Sequence, residues 1–386
     1  MASSTAAGNP MPPSLSMPPS QFARLQPHAY LRAHLCPPSS DQPSVRANGR
    51  ATSQFRVTSV NTGSLTHANG SAVVRIGDTT AVCGVRAELL HTSDISSWSV
   101  SQAPSKEDPT SKNDAKDSNT DDEDDQGQIQ DLNLLVPNLS LSTGCAPGLT
   151  PGAPPPALAQ SLSHQILSLL HTTNLVRADD LRIWYQPPNL ESEEYHNPGE
   201  GMDVDTEQGG GHEREIKAFW VLYIDIMVLS MAGNAFDAAW ASVLAALRDT
   251  KLPKAWWDDD NDTILCSDSF AEAHRLTLRG LPIASSFCCF EGDVAAGWRA
   301  NVIPDAEEQK RKKGSQQKWI LADPDGYEEG LTQERACLVV DKENGKTVIV
   351  KMEKHGGWNM DGDDLRQLVD VSSQRWDDLS KLLEQC

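Results

Sequence analysis

No apolar run in this 386-residue chain reaches the ~20 residues that cross a bilayer as a helix; the longest candidate, Ala218 to Leu229, carries Asp225 inside it. The expectation is a soluble chain with no membrane partner. Cysteines at C-x-x-C spacing are missing as well. The eight present (36, 83, 145, 266, 288, 289, 337, 386) are scattered. Several sit in apolar runs such as Ala81-Val82-Cys83-Gly84-Val85, so they read as buried thiols of a reduced compartment rather than a disulfide framework. The ten histidines lack ligand spacing. His164 and His171 share a helix face with no third residue at ligand spacing, and neither a metal nor any other cofactor is implied. Acids are absent from residues 1–40, which hold two arginines among many Ser, Pro and Ala. That composition superficially suits an organelle transit peptide, but the proline density opposes an amphipathic helix before Ser20. Residues 1–20 read as a disordered tail.

Positive charge is scarce: 33 Lys and Arg stand against 54 Asp and Glu, for a net −21. At face value this excludes nucleic-acid binding, because phosphate repels such a surface. The distribution weakens the exclusion. Residues 101–131 carry −7 and residues 189–215 carry −8, leaving about −6 for the remainder, an ordinary value for a soluble domain. Neither acidic stretch has an apolar period to bury, and both read as disordered insertions. The apolar fraction of 38% fits a chain that is partly unstructured.

What remains is strongly patterned. Phe22 to Leu35 reads as a helix whose apolar face is Leu25, Tyr30, Leu31 and Leu35. Strands are expected at Phe55–Val60, Ser71–Ile76 and Thr80–Glu88, the last two joined by a hairpin turn at Gly77-Asp78. Leu132–Leu141 follows as strand, Leu158–Leu170 as a helix presenting Leu158, Leu162, Ile166, Leu169 and Leu170, and Leu181–Tyr185 as strand. Phe219–Leu229 is an aromatic and β-branched strand. Phe236, Ala239, Trp240, Val243, Leu244 and Leu247 give the next helix a core stripe. Strands at Leu281–Phe290, Trp319–Ala322, Ala336–Val340 and Thr347–Met352, the last pair around Asn344-Gly345, precede a closing helix over Asp363–Leu383. The expected fold is α+β in two strand-rich halves, residues 21–250 and 265–386, the second repeating the strands-then-helix order of the first.

The spaced motifs Arg46-Ala47-Asn48-Gly49-Arg50, Phe55-Arg56, Asn61-Thr62-Gly63, Ala68-Asn69-Gly70-Ser71-Ala72, Gly77-Asp78-Thr79-Thr80 and Val82-Cys83-Gly84-Val85-Arg86-Ala87-Glu88 resemble the RNase PH family. Later elements keep family order, so the resemblance runs from Phe22 to Leu383 apart from the insertions. It implies an RNase PH-like fold of two βαβα-type halves, like domain 2 of ribosomal protein S5. It also implies where phosphorolytic chemistry would sit. Such enzymes place a carboxylate at a strand-to-helix turn, to assist metal binding or protonation at the scissile phosphate. They also place two arginines at a helix start, to hold inorganic phosphate. In Val228-Leu229-Ser230-Met231-Ala232-Gly233-Asn234 the carboxylate position is Ala232, and Pro147 to Pro156 contains no basic residue. The Gly233-Asn234 ending resembles the non-catalytic branch of the family.

The resemblance therefore implies a non-catalytic structural and RNA-guiding subunit of the RNA exosome. Its partners would be other RNase PH-like subunits in a six-membered ring, cap subunits with S1 and KH domains, single-stranded RNA in the central pore and an associated hydrolytic 3′–5′ nuclease. The expected location is the nucleus with its nucleolus, and the cytoplasm. Arg46 and Arg50 are candidates for RNA or interface contact, with capping of a turn or pairing to neighbouring acids as the alternative. Lys310, Arg311, Lys312 and Lys313 form a second candidate, against a solvated loop. Both acidic insertions are expected to project outward. The competing function is an active phosphate-dependent 3′–5′ exoribonuclease, which would require Asp225 and unidentified cations to replace the missing groups; for Asp225 the plainer reading is an ion pair or an interface. A free RNA-binding module is a further alternative, disfavoured because it would expose apolar edges.

Overall fold

The computed structural model describes residues 18–36, 43–96, 98, 127–185, 215–291, 318–332, 334–343, 345–357 and 360–385. Most of both acidic insertions and the run Lys310–Lys313 lie outside the described residues.

The chain opens with two short helices, α1 (Pro19–Leu25) and α2 (Pro27–Leu35), where one was expected. The break falls at Gln26, which Pro27 holds out of helical geometry. Leu31 and Leu35 are buried as read, but Leu25 is exposed. An N-terminal sheet follows: β1 (Thr58–Thr62), β2 (Gly70–Ile76), β3 (Thr79–His91), β4 (Leu135–Leu141), then helix α3 (Ala157–Thr173), β5 (Arg182–Tyr185) and β6 (Glu215–Ser230). Its strand order is β1-β2-β3-β6-β4, with β5 also paired to β6, and β4 runs parallel to β6. The β2–β3 hairpin turns at Gly77 with φ +58°, a value glycine accepts without a Cβ penalty. Strand β1 begins three residues later than expected because the Arg56 amide leaves the ladder to donate to Asp323. On α3, Leu158 turns outward while Leu162, Ile166, Leu169 and Leu170 are buried. The C-terminal end of the first acidic stretch, 127–131, is a helical turn that buries Ile129, so the unpatterned segment ends earlier than its charge suggested.

Helix α4 (Ala235–Asp249) is buried nearly all round, well beyond the predicted stripe. It lies between the N-terminal sheet and the second sheet, and alanines at 238, 239, 241, 245 and 246 let both approach closely. Beyond it come β7 (Lys251–Leu252), β8 (Ala255–Asp258), β9 (Thr263–Cys266) and β10 (His274–Arg275), none of them read from the sequence. The second sheet comprises β11 (Ile283–Glu291), β12 (Lys318–Ala322), β13 (Arg335–Glu343) and β14 (Lys346–His355), in the order β12-β11-β13-β14. A short helix α5 (Gly326–Leu331) follows β12, and α6 (Gly362–Glu384) closes the chain. Helix α2 seats Leu31 and Leu35 on Cys288, Phe290 and Leu321 of the second sheet. The cysteine expectation holds for Cys83, Cys145, Cys288 and Cys289, whereas Cys266 is exposed on the unforeseen β9.

Trp240 of α4 joins the two halves, its indole N–H donating to Pro282 O at 2.7 Å from a fully buried position. Phenylalanine there keeps most of the ring and strands a buried carbonyl. Trp240→Phe is therefore expected to cost about 2 kcal/mol, seen as a lower urea midpoint at unchanged m-value.

Candidate functional site

The strand-to-helix turn that leads from β6 into α4 holds Ala232, the position where the resemblance expects a carboxylate. Gly233 has φ +89°, and a Cβ on it would come within 2.4 Å of the Asp325 carbonyl carbon. The turn is thus pressed against the loop before α5, which explains its glycine. Both backbone groups of Ala232 and the carbonyl of Gly233 are used internally. The Ala232 N–H donates to Thr79 Oγ1 at 3.1 Å, and its carbonyl accepts from Arg56 Nη1 and from the Gly326 N–H, both at 3.0 Å. The Gly233 carbonyl accepts from Thr79 Oγ1 at 2.8 Å and from Arg56 Nη2 at 3.1 Å. Arg56, quoted above only as part of a motif, is the clamp that shapes this turn.

A buried ionic network continues from the clamp. The Asp323 carboxylate accepts from Arg56 Nη2 at 2.7 Å and Nε at 2.8 Å, from the Arg56 amide at 2.9 Å, from Asn234 Nδ2 at 2.8 Å and from Arg50 Nη1 at 3.4 Å. Burial alone would raise its pKa; the Arg56 bonds and the charges of Arg375 and Arg56 together outweigh burial and hold it well below the usual carboxylate range. Burial likewise opposes the Arg56 charge, yet its bonds to Asp323 leave its pKa above the ordinary value. Asn234 passes the network to Asp237, at 2.8 Å, which also accepts from Arg375 Nη1 at 2.9 Å and from Ser286 Oγ at 2.6 Å. Arg375 in turn stacks over the Phe55 ring at 4.2 Å.

Arg46 and Arg50 belong to this network. Arg46 is fully buried; it is bidentate to Glu328 and donates to the carbonyls of Ala322 at 2.5 Å and Asp323 at 3.1 Å. Arg50 is mostly buried beside Asp323, and burial followed by repulsion from Arg46 lowers its pKa. Pairing with acids, the alternative reading, is seen for both, and it leaves part of the Arg50 side chain exposed. The acids lie far away in sequence rather than nearby.

Beside the turn opens a cleft of about 740 Å³ between α3, the start of α4 and the second sheet; Ser161, Gln165, Met231, Phe236, Glu329 and Arg335 are among its lining residues. The charged lining includes two carboxylates, Glu329 and Glu353, against Arg335 and His355. Arg335 is turned to the Glu329 carbonyl at 3.0 Å. Burial keeps the Glu329 pKa above its ordinary value, despite the amide bond from Asn234. The α3 N-terminus carries no side-chain cap, no acid and, in the preceding Pro147–Pro156 loop, no cation. Burial pushes the Cys288 thiol up to about 12, so it is not a nucleophile at neutral pH. Among the described residues no three His, Cys, Asp or Glu side chains gather as a metal site would require. At the turn the cleft has no carboxylate at position 232, and its basic lining is Arg335 and His355.

Asp225 faces outward from the same strand. It pairs with Arg86 at 3.5 Å and accepts from Asn138 Nδ2 at 3.2 Å, on a groove of about 700 Å³ that also exposes Leu65, Met227 and Leu229. It therefore does not point into the cleft.

Residues 54–253 match the RNase PH family, described as 3′ exoribonuclease family, domain 1. The exosome complex component rrp43 of Schizosaccharomyces pombe is 29% identical over 362 residues, which cover 94% of this chain and 97% of that relative. The exosome complex component Rrp42 of Thermococcus gammatolerans is 22% identical over 338 residues, covering 88% and 89% respectively. A chain of the Archaeoglobus fulgidus exosome, solved with RNA bound to the active site, shares the fold at TM-score 0.52 and 21% identity, over 89% of this chain and 92% of that one. A chain of an archaeal exosome core gives TM-score 0.50 at 20% identity, over 92% and 94%.

Proposed function

The chain belongs to the RNase PH family of 3′ exoribonucleases, and from that premise we propose that it is a non-catalytic subunit of an exosome-type ring that supports 3′–5′ RNA processing. The carrying observation is the turn at Ala232, where the catalytic position holds a methyl group and the backbone N–H and carbonyl of that residue are taken by Thr79, Arg56 and Gly326. The cation-free 147–156 loop supports the same reading, since the helix start that would hold phosphate offers it no guanidinium. Relatives named as exosome components, aligned over almost the whole chain, supply the assembly part of the proposal.

In this reading neighbouring RNase PH-like subunits cover apolar surface such as Leu65, Met227 and Leu229, S1 and KH cap subunits sit on the ring, and single-stranded RNA threads the pore toward a hydrolytic nuclease. Lys310, Arg311, Lys312 and Lys313 carry the RNA-contact part of the proposal. The chain would work in the nucleus, including the nucleolus, and in the cytoplasm.

The test is a phosphorolysis assay of the full chain, alone and with its ring neighbours, using single-stranded RNA, inorganic phosphate and magnesium. No nucleoside diphosphate attributable to this chain is expected, and Ala232→Asp alone should not create activity because the phosphate-holding cations are still missing. Diphosphate release that disappears in Asp225→Asn would overturn the proposal.

A further inference from the structure

The β8–β9 hairpin offers a surface that neither catalysis nor the buried network uses. Its register pairs Trp256 with Leu265 and Asp258 with Thr263 on one face, and Ala255 with Cys266 and Trp257 with Ile264 on the other. The inner face is anchored: Ala255 and Ile264 pack on the core, and the Tyr185 hydroxyl donates to Asp259 at 2.8 Å. It also holds a cation. The Lys217 ammonium lies 5.3 Å from the ring centres of both Trp257 and Tyr185, and 2.9 Å from the Glu215 carboxylate. Nearby, the Lys251 ammonium sits 4.4 Å over Phe270, a ring 74% exposed. This part of the molecule thus twice satisfies an aromatic ring with a lysine.

The outer face repeats that chemistry with the cation left out. Trp256 and Leu265 are each 41% exposed, directly opposite one another. Asp258 shares their face, and Asp259, Asp260 and Asp262 follow in the turn. Among the described residues none of these four carboxylates has an ion-pair partner, and no cation lies over Trp256. An indole with a clustered negative charge beside it attracts an ammonium or guanidinium. The same charge repels nucleic acid. The adjoining leucine adds an apolar anchor, which a bare ion would not use.

We propose that the outer face of the β8–β9 hairpin is a docking site for a basic protein segment, one that lays an arginine or lysine over Trp256 toward Asp258 and an apolar side chain against Leu265. The proposal does not depend on the ring-subunit reading. The occupant is a protein segment because it must offer both cation and apolar group within the span of a four-residue strand pair.

The probe is a fluorescein-labelled ten-residue peptide of alternating arginine and leucine, titrated by anisotropy against the full chain, with a glutamate–leucine peptide and a single-stranded RNA oligomer as comparators. Binding should weaken at least tenfold in Trp256→Ala and in the triple variant Asp258→Asn, Asp260→Asn, Asp262→Asn, and should fall with added salt. Circular dichroism checks the fold of each variant. If Trp256→Ala lowers the thermal midpoint, Leu265→Lys on the same face decides instead, with the same expected loss. Unchanged affinity in folded variants, or equal binding of the glutamate peptide or the RNA, overturns the proposal. So does self-association of the chain that Trp256→Ala abolishes, because the occupant would then be a second copy.

Discussion

Arg46→Ala should lower the stability of the chain by about 3–5 kcal/mol, a large part of what a folded protein has to spare. The loss comes less from the ion pair itself than from what is left behind. Glu328 is fully buried, and without the guanidinium its carboxylate has neither water nor a counter-charge. The carbonyls of Ala322 and Asp323 lose donors as well. Replacing both charges by apolar groups of similar size, Arg46→Met with Glu328→Met, should recover most of the loss, because the desolvation of both ions is then removed. Urea denaturation of the two single variants and the double variant gives the coupling directly. A single-variant loss below about 1 kcal/mol would show that the pair is solvated in solution, contrary to its burial.

Asp323→Asn is expected to be comparably damaging at neutral pH, about 3–5 kcal/mol, since Arg56 and Arg50 would face a neutral amide in a buried position. The same residue sets an acid limit. Its folded pKa is depressed, so the native state binds fewer protons than the unfolded chain through the carboxylate range. Its contribution is therefore fully present above the unfolded value near ~4 and is lost as pH falls toward the lower folded value. Stability measured from pH 6 downward should drop steeply below about pH 4–5, and Asp323→Asn should flatten that limb while lowering the plateau. A wild-type curve flat to pH 2 would mean that folding does not depress the Asp323 pKa.

The parts of the fold visible in the sequence are those whose side chains alternate or recur over a long enough run. Strand β6 and helices α3, α4 and α6 carry a period through 15 residues or more, and they stand where the apolar pattern puts them. The region of β7 to β10 is silent for the opposite reason. Its strands have two to four residues, too few for a period, and Trp256-Trp257-Asp258 reads equally as core, surface or turn. Leu25 and Leu158 were assigned to apolar faces by spacing alone, although each sits at a helix end where the neighbouring element no longer covers it.

The candidate site was half legible. Absence can be read from a sequence: Ala232 and the cation-free 147–156 loop are plain in the letters, and the structure adds only that the turn is closed around them. Partnership cannot be read so easily. Arg46, Arg50 and Arg56 stand out as a motif, yet the acids that claim them, Asp323 and Glu328, lie more than 260 residues downstream with no local sign of the pairing. An arginine that binds RNA and one that locks a core look alike until its partner is known. The one hint is that Asp237 falls in the first turn of a largely apolar helix, where a carboxylate needs a cation.

The distance between those partners has a consequence for the birth of the protein. Arg46 and Glu328 are 282 residues apart, which at ~5–20 residues per second is roughly 14–56 s of synthesis. Through that interval the nascent chain carries the Arg46 charge and the apolar faces of α2 with nothing to cover them, because the second sheet has yet to be made. Helix α2 is thus made long before the Cys288, Phe290 and Leu321 side chains that cover it, and its docking closes the fold late.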